Sequence, residues 1–372
     1  MTKGANHKNI KVPGNANKKY YFASANTCSG FKSYFNCIFN PELLKKIYIL
    51  KGGSGTGKSY LMNEIAQKAV DKNFSVEYFL CSSDPDSLDG IIISELGTAV
   101  IDGTAPHITD PKYPGVIENI INIGNFWDEQ KLDNNKEKIF ELINKKSIYF
   151  GNAYKYLKAA NEILESVTDL AKKYINYEKM EASVYRIINK HIKEKTLNAN
   201  ILNSGGEYRF INSISSNGCE TLDTLEQDAK KIFYISNENF TGYYYTESLL
   251  NQFKNCKKII LPLALNPEKI QGIYLKEKQI LFVIKDKISD KFYDERYIFI
   301  NMDRFTDASF KKEHKQKLRL AKKCYNAVIS SAVEYLKEAK ILHVKLEDIY
   351  KSTMNFDKKS KYSKDLIQKI FS

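Results

Sequence analysis

The chain repeats itself, and this repetition constrains its fold more than any other feature. The segment KKIYILKGGSGTGKSYL at 45–61 aligns with KKIFYISNENFTGYYYT at 230–246. Because several matches in one order are improbable by chance, the sequence predicts two copies of one structural unit. Four further pairs align in the same order, at offsets that fall only from 188 to 179 residues: 21–31 with 209–219, 82–95 with 264–277, 121–128 with 300–307, and 156–164 with 335–343.

Both copies show the same alternation of strands and helices. In the first copy a strand at 47–50 leads through a loop into a helix that ends near residue 70, and further strands follow at 75–80 and 98–101. The second copy repeats these strands at 232–235, 258–261 and 279–283. Such alternation is typical of an α/β fold with a mostly parallel sheet covered by helices.

Each copy ends in a long stretch with almost no Gly or Pro, at 129–200 and 307–370. Apolar residues recur there at spacings of three and four, which predicts long amphipathic helices. These helices can pack on their own sheet domain or on the other copy. We therefore expect a flexible basic tail over 1–19, one domain with a helical extension over 20–204, and a second over 205–372, joined near Asn203–Gly206.

The first copy carries the motif G-x-x-x-x-G-K-[ST], between a strand and a helix. Glycines let successive backbone N–H groups turn towards phosphate oxygens, and the following helix presents its positive N-terminus to the same anion. In this motif the lysine reaches the β- and γ-phosphates, and the Ser hydroxyl binds Mg²⁺. The predicted nucleotide-binding residues are Gly52, Gly53, Ser54, Gly55, Thr56, Gly57, Lys58 and Ser59.

The second copy keeps the outline of this loop without its chemistry. Thr241-Gly242 remains, but Tyr243 stands where lysine is needed, Tyr244 replaces the hydroxyl residue, and Glu238 replaces a glycine. A carboxylate repels phosphate, and the ammonium that would attract phosphate is gone. We expect the second copy to bind no nucleotide in the usual way, and the fold to be two tandem P-loop NTPase-like three-layer domains of which one is active.

The second copy serves as an internal control for the first. Pro85 and Gly90 survive as Pro267 and Gly272, which indicates turn residues. Three carboxylates vanish together with the lysine: Asp84 becomes Asn266, Asp89 becomes Gln271, and Asp102 becomes Ile284.

These three carboxylates are candidates for chemistry. Asp102 ends a predicted strand, as does the aspartate that holds Mg²⁺ through water in P-loop proteins, although an Asp-Gly turn is the alternative. Asp84 and Asp89 follow the second strand, at the sheet edge where ligands gather, and either could orient water or accept a proton. Helix capping is an equal alternative for Asp84. Catalysis is thus assigned to Lys58, Asp84 and Asp89, and Mg²⁺ binding to Ser59 and Asp102.

The first copy lacks two features of strong hydrolases. Gly103 follows Asp102 where motor-like ATPases have glutamate, and no arginine precedes residue 186. An arginine acting on the loop must come from the second copy, with Arg296 and Arg304 as candidates, or from another chain.

His107 lies in a Pro- and Gly-rich segment at 102–115 that could form a lid, but a surface histidine is the more ordinary reading.

The composition limits which partners the protein can be expected to bind and in which compartment it is expected. The net charge of +13 rests almost entirely on lysines, with acidic residues interspersed, so a solvated surface is favoured over a nucleic-acid footprint. We find no run of about 20 apolar residues and no secretory signal at the start. Six scattered cysteines without metal-ligand spacing agree with a reducing compartment, so we expect a cytoplasmic protein with free thiols and no membrane partner.

Several segments together resemble a bacterial family of tandem P-loop ATPases or nucleotide-kinase-like ATP-binding proteins, found in clostridia and bacilli: FASANTCSGF, ILKGGSGTGKS, CSSDPDSLDGIIISELGTAVIDGTAPH, DPKYPG and INIGNFWD. The resemblance implies ATP binding at 52–59. Three functions stay open: slow Mg²⁺-dependent ATP hydrolysis regulated by contact between the two copies, phosphate transfer to an unknown acceptor, or a non-enzymatic scaffold that responds to nucleotide.

Overall fold

A computed structural model describes residues 7–10, 17–192, 206–253, 256–285 and 294–372. The first half contains β2 (Lys18–Phe22), β3 (Ser24–Thr27), β4 (Gly30–Ser33), α1 (Phe35–Ile38), β5 (Lys46–Lys51), α2 (Lys58–Asp71), β6 (Val76–Leu80), β7 (Leu88–Ile93), β8 (Thr98–Asp102), β9 (Glu118–Asn122), α3 (Glu129–Asp133), α4 (Lys136–Lys172) and α5 (Tyr177–His191). A short 3₁₀ helix, Ile123–Phe126, follows β9.

The second half repeats these elements. It contains β10 (Glu207–Tyr208), β11 (Asn212–Ser215), β12 (Gly218–Leu222), α6 (Thr224–Asp228), β13 (Lys231–Ser236), α7 (Gly242–Gln252), β14 (Lys258–Pro262), β15 (Ile270–Leu275), β16 (Ile280–Lys285), β17 (Tyr297–Ile300), α8 (Ala308–Thr353) and α9 (Phe356–Phe371). A matching 3₁₀ helix, Met302–Phe305, follows β17.

The two large sheets have the same strand order, which confirms the predicted α/β architecture in both halves. The first is β2-β6-β7-β8-β5-β9 and the second is β10-β14-β15-β16-β13-β17. All neighbouring strands are parallel except at β7 and β15, which run antiparallel to both of their neighbours. The central strands β5 and β13 are buried over four consecutive residues, as expected of strands covered on both faces.

Gly90 and Gly272 do not occupy turns, contrary to expectation. Both lie inside the antiparallel strands β7 and β15. A methyl group on Gly90 would lie 2.6 Å from the ring of Phe39, and one on Gly272 would lie 2.5 Å from the carbonyl oxygen of Phe282. Close packing therefore explains why both copies carry glycine here. Pro85 does lie in a turn, as predicted.

Each sheet has a long helix on one face only. In the first half α2 packs on that face, and the other face belongs to a core cluster that also contains Ile232, Tyr234 and Leu281 of the second half. The helices in this cluster are short, since α1 has four residues and α6 has five. The halves thus share a core there, and within the described ranges neither sheet carries the full second helical layer of the predicted three-layer domain.

The long helices are exchanged between the halves, which decides between the two packings left open by the sequence. Helices α4 and α8 run antiparallel, since Lys146 contacts His343 at one end and Tyr174 contacts His314 at the other. Beyond them, α5 packs on the second half and α9 packs on the first. Each sheet domain is therefore completed by the terminal helix of the other copy.

The boundaries of the predicted domains fall mostly outside the described residues. Within the stretch expected to be a flexible tail, His7–Ile10 form strand β1, which pairs in parallel with β12, and Lys18 and Lys19 belong to β2. The junction at 203–206 is described only from Gly206 onwards. In the described part of the chain, no helix combines the length and apolarity needed to cross a membrane.

Candidate functional site

The motif loop joins the end of β5 to the start of α2. Three of its glycines have positive φ angles, +154° at Gly52, +74° at Gly55 and +84° at Gly57, which glycine adopts readily because it has no Cβ. Gly57 is the N-cap of α2, and no side chain caps this helix end. The first N–H groups of α2 are thus left to a partner other than a capping side chain.

Lys58 is buried, with 8% of its surface exposed, and its ammonium group is held within the loop. It donates hydrogen bonds to the carbonyl oxygens of Gly52, at 2.7 Å, and Gly53, at 2.8 Å. The carboxylate of Asp102 lies 3.5 Å away. The predicted lysine and the predicted strand-end aspartate are therefore neighbours, which brings a positive charge, a carboxylate and the helix N-terminus together.

The two predicted Mg²⁺ residues are held by different neighbours. Asp102 ends β8, beside β5, and its Oδ1 accepts hydrogen bonds from the backbone N–H and the hydroxyl of Thr104. Ser59 Oγ accepts a hydrogen bond of 3.0 Å from the backbone N–H of Leu88. A hydroxyl and a carboxylate are oxygen donors of the kind that Mg²⁺ prefers when phosphates and water supply the other ligands.

Asp89 follows Leu88 in strand β7. It forms a buried pair with His107, whose Nε2 lies 3.1 Å from the Asp89 carboxylate. The expectation of a surface histidine is wrong, because only 8% of the surface of His107 is exposed and its ring stacks on Phe35. Burial opposes the charged imidazole, but the carboxylates of Asp89 and Asp102 outweigh it and hold the pKa of His107 above its ordinary value.

The His107–Asp89 pair predicts a pH dependence of stability. A histidine with a raised pKa in the folded state stabilises the fold below about pH 6.5, and this contribution is lost as pH rises through the folded pKa. The free energy of unfolding, measured in urea, should therefore fall as the pH rises from about 6 to about 8. This fall should be steeper in the native chain than in His107→Gln. Equal slopes in the two proteins would show that folding does not raise the pKa of His107.

Asp84 contacts the other half of the molecule and caps no helix, because Pro85 leads into a turn and strand β7. Its carboxylate accepts a hydrogen bond of 2.8 Å from Lys340, on α8. Its counterpart Asn266 bonds instead to Asn161 on α4. Asn161 and Lys340 align at the offset of 179 residues, so both charges of the first pair are replaced by amides in the second.

Helices of the second half lie directly over the motif loop. A methyl group on Gly53 would lie 2.9 Å from the ring of Tyr350, and one on Gly55 would lie 2.6 Å from the carbonyl oxygen of Glu347. The loop glycines therefore permit this close approach as well as the turn of the chain. Arg296, one of the two arginines considered for this site, bonds instead to Asp294 and Ala229 of its own half.

The loop of the second copy keeps one of the three positive φ angles of the motif loop, since neither Asn237 nor Gly242 has one. Phe240 has a φ of +56°, at the position of Gly55, although such an angle is unusual for a residue with a side chain. Tyr244, in place of Ser59, extends its hydroxyl to the carbonyl oxygen of Thr168 on α4. Side chains thus fill the space over this loop.

The chain was compared with models of protein families, with curated proteins and with solved structures, and no match was found in any of the three. The geometry of residues 52–59 and their neighbours is therefore the basis for assigning a function.

Proposed function

We propose that the protein binds ATP with Mg²⁺ at residues 52–59 and hydrolyses it slowly at this single site, with the second copy as a structural and regulatory partner. The observation that carries the proposal is the buried ammonium of Lys58, bonded to Gly52 and Gly53 and adjacent to Asp102, at an uncapped helix N-terminus. The second copy has tyrosine at the position of this lysine and isoleucine at that of the aspartate.

Each group at the site has a different role in binding the nucleotide. Backbone N–H groups of the loop and of α2 bind phosphate oxygens, and Lys58 exchanges its carbonyl partners for the β- and γ-phosphates. Ser59 would hold Mg²⁺ directly and Asp102 through water. When bound, Mg²⁺ neutralises charge on the phosphate oxygens.

Asp89 is the better placed of the two predicted catalytic carboxylates. Asp84 is paired with Lys340 on α8, whereas Asp89 is paired with His107 and follows Leu88, whose backbone N–H bonds Ser59. Asp89 would orient the attacking water, with His107 fixing the carboxylate. Water attacks the γ-phosphorus, the bond to the β-phosphate oxygen breaks, and ADP, phosphate and a proton leave. Slow turnover follows from Gly103, which supplies no second carboxylate next to Asp102.

Calorimetry with MgATP, together with phosphate release, tests the proposal. We expect a single nucleotide per chain and phosphate release without any added acceptor. Asp102→Asn should raise the Mg²⁺ concentration needed for half-maximal release by about tenfold, the effect of losing roughly 1.4 kcal/mol. Asp110→Asn, in the same segment but with its side chain 77% exposed, is the control and should behave as the native chain. Absence of nucleotide binding, or two nucleotides per chain, contradicts the proposal.

A further inference from the structure

Lys359, on α9 of the second half, is buried against the motif loop of the first half. Only 4% of its surface is exposed. A methyl group on Gly57 would lie 3.2 Å from its Nζ, so the ammonium lies directly beside the N-cap of α2. It also lies over the ring of Tyr60, 5.2 Å from the ring centre.

This ammonium has no acceptor among the described residues. Its backbone groups bond to Asn355 and Ser363, whereas its Nζ lies over the ring of Tyr60 and forms no hydrogen bond or ion pair with a described residue. Burial lowers the pKa of Lys359, and the carboxylate of Glu64 only partly offsets this effect. The Nζ itself is not fully shielded from solvent, so its hydrogen-bond acceptors come from water or from a ligand beside the loop.

The surroundings make the position more unfavourable in the absence of an anion. The N-terminus of α2 carries partial positive charge, and Lys58 begins the same helix. Two ammonium groups and a helix N-terminus thus face one loop, and Asp102 is the carboxylate beside Lys58. Such convergence of positive charge favours a ligand with several negative charges, as a polyphosphate has.

The second copy provides an internal control. Met180 aligns with Lys359 at the offset of 179 residues, and the match is fixed by equivalent helix caps, Asn176 on α5 and Asn355 on α9. Met180 is 2% exposed and packs in the core of the second half. The same position therefore carries an apolar core side chain in one copy and a lysine beside the motif loop in the other.

We propose that Lys359 is a second phosphate-binding lysine, which the second copy supplies across the interface to the polyphosphate of a nucleotide bound at 52–59. This inference rests on the proposed function and extends it, because it assigns the second copy a direct part in the site. It also explains why an inactive copy remains useful: its loop has lost its ligand chemistry, but its last helix completes the site of the other copy.

Lys359→Met tests this proposal, because methionine already fits the equivalent position. MgATP affinity should fall by about ten- to a hundredfold, the effect of losing a charge-assisted hydrogen bond, whereas the affinity for adenosine, which has no phosphate, should be unchanged. The melting temperature of the nucleotide-free protein should stay equal or rise. Lys361→Met, an exposed position on the same helix, is the matched control and should leave all three values unchanged.

The possible results separate the two proposals. If the native chain binds no MgATP, the proposed function fails and this inference fails with it. If the native chain binds MgATP and Lys359→Met binds it equally well, only this inference is overturned. A lower melting temperature of the nucleotide-free variant would also overturn it, since that result makes Lys359 a structural residue. Weaker MgATP binding with unchanged or higher stability supports it.

Discussion

Replacement of Lys58 by methionine is expected to reduce MgATP affinity at least about a hundredfold. The ammonium has two hydrogen bonds that it can transfer from the carbonyl oxygens of Gly52 and Gly53 to phosphate oxygens. Charge-assisted bonds contribute about 1.5–3 kcal/mol each, so the loss of two corresponds to roughly a hundredfold or more. Calorimetric titration of the native and variant chains measures the effect.

Lys72→Met is the matched control for this experiment. Lys72 is exposed at the other end of α2 and makes no side-chain contact with the loop, so MgATP affinity should not change. Because Lys58 also lies beside Asp102, the unfolding free energy of the Lys58 variant should be measured as well. We expect a loss of about 1–3 kcal/mol from the groups left unpaired. Equal affinity of a folded Lys58→Met protein and the native chain would refute the site.

Leu366→Ala is expected to destabilise the first half of the molecule, although residue 366 lies near the end of the second. Leu366 is buried on α9 in one cluster with Leu61 and Ile65 of α2. Truncation of a buried leucine to alanine costs about 2–5 kcal/mol, from lost apolar burial and the cavity that remains. Denaturation in urea measures the loss of stability, and amide hydrogen exchange shows which helices are destabilised.

Because α9 packs on the first half and α5 on the second, the effect of Leu366→Ala on amide hydrogen exchange should be confined to one half. Amides of α2 should exchange faster in Leu366→Ala, while those of α7 should keep their protection, because α5 and not α9 packs there. Lys364→Ala, exposed on the same helix, should alter neither stability nor exchange. Faster exchange confined to α7 would show that α9 packs on its own copy.

The duplication allowed much of the fold to be predicted. Both loops, the helices that follow them and the strands at 75–80 and 98–101 are found close to their expected bounds. Strand β7 was missed because Pro85 and Gly90 read as turn residues, whereas Gly90 is a packing residue inside the strand. The exchange of α5 and α9 could not be predicted, since an amphipathic face shows that a partner exists but not which copy supplies it.

The site was predicted in part. Proximity of Lys58 and Asp102 follows from a parallel sheet, because the ends of neighbouring strands meet at one edge. His107 was assigned to the surface because its segment is rich in Pro and Gly, yet Phe35 and Asp89 enclose it. Lys359 was missed because it lies in a charged helix that reads as solvated. Alignment of Lys359 with Met180 was the signal that could have identified it.

The exchange of terminal helices also determines where mutations can accumulate. Under the proposed function, no ligand chemistry depends on residues 236–244, whereas Lys359, near the end of the same copy, lies beside the motif loop of the other. The two proposals together therefore predict different sequence constraints on the two parts of one repeat. A duplicated unit can thus lose its own active site and still be indispensable to the neighbour from which it diverged.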